Sequence, residues 1–115
     1  MAGMVVYQLW TSQVIAHSTA VTSAAVEISK ANAMALHVTT LSGTSPSVTF
    51  TYSLSSSRDG TFTTPVSPAT IKANAAAADV HDFTPEAAEF IKIIATNNSG
   101  ANAATLSAQL AVQEL

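Results

Sequence analysis

The chain of 115 residues has 48% hydrophobic and only 10% charged residues, with a formal net charge of −3 and no cysteine. That length suits one domain, residues 1–115, able to bury a core unaided, while the missing thiols exclude a disulfide scaffold, a cysteine nucleophile and thiolate zinc sites. With 4 Lys+Arg against 7 Asp+Glu there is no basic stripe to displace counterions from phosphates, so direct nucleic-acid binding is not expected, and a surface this poor in charge favours association with copies of itself or with a partner.

The first segment, Met1 to Ala16, lacks the charged start of a signal peptide. Gln8, Thr11, Ser12 and Gln13 interrupt it well before the ~20 apolar residues a membrane span requires, so no membrane partner is implied. It reads as the first strand. Met4, Val5, Val6, Tyr7, Leu9 and Trp10 nevertheless carry more apolar surface than one edge strand hides easily, so residues 1–16 are expected to act as an arm or swapped edge strand, with Tyr7, Leu9 and Trp10 at an interface and Trp10 as its anchor.

Further along, Ala25 to Ile28 is a weak strand candidate. Leu36, Val38 and Thr40 alternate with Ala35, His37 and Thr39, the period of a half-buried strand. Val48, Phe50, Tyr52 and Leu54 repeat the pattern against Thr49, Thr51 and Ser53. The turn Ser57-Arg58-Asp59-Gly60 follows, with Asp59-Gly60 expected at positive φ, returning a short strand at Phe62 to Thr64. Ile71 to Ala75 is another weak strand. Thr84, Pro85 and Glu86 resemble a helix cap, first position and first-turn acid, so at most one helical turn is expected near Pro85 to Ala88, a longer helix through Ala73 to Ala78 being the alternative. In Phe90 to Thr96 the run "FIKIIA" has apolar residues on both faces and should sit centrally between two layers. Leu106, Ala108, Leu110 and Val112 alternate with Ser107, Gln109, Ala111 and Gln113 in the last strand.

Short strands at regular spacing, separated by Gly, Pro, Asn and Asp clusters, predict an all-β, antiparallel sandwich or barrel.

No motif names a reaction. Asp79, His81, Asp82, Glu86 and Glu89 form the densest chemically capable cluster, but their order matches no calcium loop and reads as a solvated loop with a dipole-matched turn, so no metal or other cofactor is implied. His81-Asp82 lacks the further ligands a metal phosphohydrolase needs; His17 and His37, both placed on strands, have no carboxylate close in sequence. No nucleophile elbow is present, and the chain reads as a non-enzyme. Trp10, Tyr7, Tyr52 and Phe62 read as core or interface aromatics before a sugar platform, and Asn97-Asn98-Ser99 fits a glycosylation sequon.

The order of segments carries a likeness. "AAVEISKANAMALHV" is followed by "SVTFTYSLSSSRDGTF", with Ser57, Arg58, Asp59 and Gly60 at its turn, and then by "EAAEFIKIIATNNSG", with Ala88, Glu89, Phe90, Ile91, Lys92 and Ile93. It resembles the small β-sandwich accessory proteins of tailed-phage virions. That resemblance implies an antiparallel β-sandwich of jelly-roll or immunoglobulin-like type, a virion location and a structural role, foremost as a capsid decoration or cement protein, with a tail or connector component as the neighbouring possibility. Partners would be copies of itself and major capsid or tail proteins. A glycan- or receptor-binding module is the reading from another class.

Overall fold

A computed structural model describes residues 3–114, the side chain of Ala73 excepted. Among these residues all regular structure is strand: β1 (Gly3–Ile15), β2 (Ala20–Thr22), β3 (Val26–Glu27), β4 (Ala31–Gly43), β5 (Val48–Ser55), β6 (Lys72–Ala75), β7 (Asp79–Phe83), β8 (Phe90–Asn97) and β9 (Ala104–Glu114). One sheet has the order β1-β9-β4-β7. The other has the order β2-β8-β5-β6, with β3 also pairing β8. All pairings are antiparallel. The two sheets pack as a sandwich, and the chain crosses between them repeatedly, so neighbouring strands come from distant parts of the sequence.

Period-2 patterning explains the core. Val48, Phe50 and Tyr52 on β5 and Ile91, Ile93 and Ala95 on β8 point inward from one sheet, against Met34, Leu36 and Val38 of β4 and Leu106, Leu110 and Val112 of β9. β8 is interior in its sheet, but it does not lie between two layers: Ile91, Ile93 and Ala95 are buried while Phe90, Lys92 and Ile94 on the other face are half-buried, because a two-layer sandwich covers each sheet on one side only. Between β2 and β3 the ladder is interrupted, and Ser23 bridges the gap. Its N–H donates to the Ile93 carbonyl at 2.8 Å, and its Oγ accepts the Ile93 N–H at 2.9 Å.

Several local expectations are corrected. Residues 84–88 form no helical turn, and Lys72–Ala75 is a strand, which rules out the longer helix. The return after β5 is one bridge, Thr63 to Leu54, with reciprocal 2.9 Å bonds, and not a strand. Ser57 to Gly60 does close a turn, the Gly60 N–H donating to the Ser57 carbonyl at 3.2 Å. Neither Asp59 nor Gly60 has positive φ, however. Glycine suits this position for space, since a Cβ there would lie 2.3 Å from Ser57 Oγ. His17 sits in a turn after β1, not on a strand.

β1 carries the largest departure from simple alternation. Val5 and Tyr7 pair with Val112 and Leu110, inward-facing residues of β9, but the register then jumps between Gln8 and Trp10 and again between Trp10 and Gln13. Leu9 is the extra residue of the first bulge, and Trp10 therefore pairs with inward-facing Ala108. The second bulge, with Ser12 at φ 48°, restores the original phase, so that Ile15 is buried again. The Gln8 side-chain amide donates to the Trp10 carbonyl at 2.7 Å and accepts from Gln109 Nε2 at 2.8 Å, tying the bulge to β9. β4 bulges at the same level: Thr39 is the extra residue, so Thr40 faces solvent and Leu41 pairs with Leu106.

Candidate interaction surface

The register of the β1-β9-β4-β7 sheet aligns its outward-facing side chains in rows across the strands. Val6, Ala111, Ala35 and Asp82 form one row over all four strands; Gln8, Gln109, His37 and Val80 form the next; Met4, Gln113 and Ala33 lie on the other side. Three alanines make a low floor in these rows, flanked by Met4 and Val6 on β1 and by Val80 on β7, which are 68%, 53% and 57% exposed. The result is a shallow depression of about 550 Å³. Asp82 is the single carboxylate among the described residues of these rows, and His37 is half-buried beside Val80. Exposed apolar side chains grouped on one sheet face, with little charge, are the signature of a contact surface.

Trp10 is no part of this face. It is 6% exposed within the chain's own core, which corrects its expected place as a free interface anchor. Tyr7 and Leu9 are half-buried and pack against the same core. β1 pairs with β9 of its own chain from Gly3 to Ile15, so this segment is an edge strand and not a detached arm; Met1 and Ala2 lie outside the described residues.

The acidic cluster is dispersed by the fold. Asp79 forms an ion pair with Lys72 and accepts the Val80 N–H at 2.8 Å, and the Lys72 ammonium holds its carboxyl below the usual aspartate range. His81 Nε2 meets the Thr70 carbonyl at 2.8 Å, Asp82 faces outward, and Glu86 accepts the Tyr52 hydroxyl at 2.7 Å. Among the described residues no three of His, Asp or Glu converge as metal ligands would. Burial, and next the bond to Glu86, push the Tyr52 hydroxyl up from its ordinary pKa. A small crevice of about 170 Å³ lies at this end of the sandwich, between Ile28–Met34 and Phe83–Ala88.

The aromatic rings do not assemble into a platform. Tyr52 is fully buried and stacks obliquely on Phe83, with centroids 5.7 Å apart. Phe62 is capped by Lys92 at 4.4 Å from its centroid, and Phe90 by Arg58 at 4.9 Å. Arg58 also donates to the Ala25 carbonyl at 3.3 Å, so its side chain reaches from the turn to the β3–β8 side of the second sheet. Asn97 of the sequon is 1% exposed, with its amide bonded to Ile15, Ala16 and Asn102, and is no glycosylation acceptor in the folded chain.

The small-residue face itself was not legible in the sequence. Its floor residues look neutral one at a time, and the usable signal was the presence of Met4 and Val6 on the strand face opposite Val5 and Tyr7.

No protein-family model and no curated protein matches the chain. Among solved structures it is similar to the SPBc2 prophage-derived protein YomS, with a TM-score of 0.59 and 11% identity over 99% of this chain and 96% of that one. It is also similar to part of dimeric latent PorU from Porphyromonas gingivalis, with a TM-score of 0.58 and 6% identity over 98% of this chain and 13% of that one. At such identities the likeness is one of fold.

Proposed function

We propose that the chain is a non-enzymatic structural protein of a phage virion, acting foremost as a capsid decoration or cement protein. The carrying observation is the outer face of the β1-β9-β4-β7 sheet, where Met4, Val6 and Val80 frame an alanine floor with almost no charge. Such a face gains by being covered, and a particle with many equivalent positions offers a repeated surface on which to cover it. The strand orders β1-β9-β4-β7 and β2-β8-β5-β6 support reading the sandwich as a jelly roll, an architecture frequent in viral capsids and lectins. The fold likeness to a prophage-derived protein, over nearly the whole of both chains, supports a phage context.

A tail or connector position uses the same face and differs only in the partner. The glycan-binding reading has less support, because Trp10 and Tyr52 are buried and Phe62 and Phe90 are capped by cations.

The test is the composition of particles purified from cells producing the phage whose genome encodes the chain. A decoration protein is present at a copy number comparable to that of the major capsid protein, and Ala35→Lys, which places a charge in the alanine floor, removes it from particles without unfolding it. Absence of the wild-type chain from purified heads and tails overturns the reading.

A further inference from the structure

The sandwich has two kinds of sheet edge. β7 carries Asp79, His81 and Asp82 along five residues, β6 is a four-residue strand containing Lys72, and β2 and β3 are three and two residues long. Short length and charge are the ordinary protections of an edge against pairing with another chain. β1 has neither. Its thirteen residues contain no charged residue and no proline, and one side of it pairs with β9 while, among the described residues, no strand pairs with the opposite side. Its two bulges lie at Leu9 and before Gln13, so the stretch Gly3 to Gln8 is regular, with unbroken register to β9 and, among the described residues, no strand on its far side.

From Met4 to Tyr7 the side chains of this stretch are apolar on both faces, with the polar Gln8 at its end. Met4 and Val6 stand exposed on the outer face, and Val5 and Tyr7 are only half-buried on the inner one.

We propose that β1 pairs along Gly3 to Gln8 with β1 of a second copy of this chain, antiparallel and about a twofold axis, joining the two four-stranded sheets into one continuous sheet. The second copy is the occupant that charge selects. An uncharged edge meets an identical edge without like-charge repulsion, and the twofold sets apolar Met4 and Val6 beside their counterparts outside and Val5 and Tyr7 beside theirs within. A charged donor strand would find no opposite charge on β1. The pairing leaves the alanine floor open on both copies and extends it across the axis, and it does not depend on the particle reading above.

The experiment is sedimentation equilibrium of the full chain over micromolar to millimolar concentration, paired with amide hydrogen exchange. A reversible dimer is expected, with protection of alternate amides between Met4 and Gln8 that rises with concentration. Met4→Lys with Val6→Lys alters only exposed side chains, so the monomer should keep its melting temperature, while repulsion across the axis raises the dissociation constant at least about tenfold. Val80→Lys, on the opposite edge of the same sheet, should dimerise as the wild type does. A wild-type chain that stays monomeric throughout overturns the proposal. So does a dimer that survives the double lysine substitution, or one whose added protection falls on β7.

Discussion

The side-chain amide of Asn97 donates to the main-chain carbonyl of Ile15 at 3.0 Å, linking residues 82 apart in sequence. The same Nδ2 reaches the Asn102 carbonyl at 3.0 Å and the Ala16 carbonyl at 3.4 Å, while Oδ1 accepts the Ser99 N–H at 3.0 Å. One buried side chain thus ties the exit of β1 in one sheet to the end of β8 in the other and to the turn before β9.

Asn97→Ala should destabilise the chain by ~1–3 kcal/mol, because the buried Ile15 carbonyl and three part-buried main-chain groups would lose their partner together. Urea unfolding measures it. A loss under about 0.5 kcal/mol would mean that water or relaxed backbone replaces the amide.

Trp10 is the single tryptophan of the chain, so its emission reports directly on the bulge in β1. With Trp10 only 6% exposed, the folded protein should emit at short wavelength, resist quenching by iodide, and shift to the red on unfolding. Trp10→Ala should cost about 3–5 kcal/mol, the usual cost of emptying a large aromatic site in a core. Ready quenching in the monomer would place the indole outside and overturn the inward turn of the bulge.

Gly43, at the end of β4, has φ 139°, and a Cβ there would lie 2.8 Å from the Ala103 carbonyl oxygen. Gly43→Ala combines an unfavourable backbone region with a clash against main chain that cannot rotate away, and should cost ~1–3 kcal/mol. Thermal melting of the variant checks this; an unchanged midpoint would contradict the geometry.

The Tyr52 hydroxyl donates to Glu86 and accepts the Ala69 N–H, both at 2.7 Å, and its pKa is raised chiefly by burial. The unfolded chain ionises near the ordinary value of about 10 while the native chain keeps the proton. Unfolding therefore releases a proton above that pH, and the Tyr52 contribution is fully present below about pH 10 and is lost as pH rises through the higher native value. Urea titrations from pH 8 to 11 should show a smaller alkaline loss for Tyr52→Phe than for the wild type. Equal slopes would assign the loss to other groups.

What the sequence determined by itself is the periodicity of the strongly alternating segments. Val48 to Leu54 and Leu106 to Val112 put one face in the core because successive side chains point to opposite sides of a strand, and no tertiary partner is needed to know which residues share a face. Phe90 to Thr96, with apolar residues on both sides, gave a strand interior to its sheet, but its second apolar face is covered by side chains such as Arg58 over Phe90 and not by another layer. Only the tertiary structure decided the rest. By parity Trp10 belongs with Val6 and Gln8 on the outside. It lies inside because Leu9 bulges against β9, and a bulge is a relation between two strands that neither strand encodes alone. Asp79, His81, Asp82 and Glu86 are close in sequence, yet Lys72, Thr70 and Tyr52 draw three of them apart. Ala33, Ala35 and Ala111 become a surface feature only when register sets them side by side, since an alanine is small enough to suit a core or a face, and long-range pairing chooses between the two.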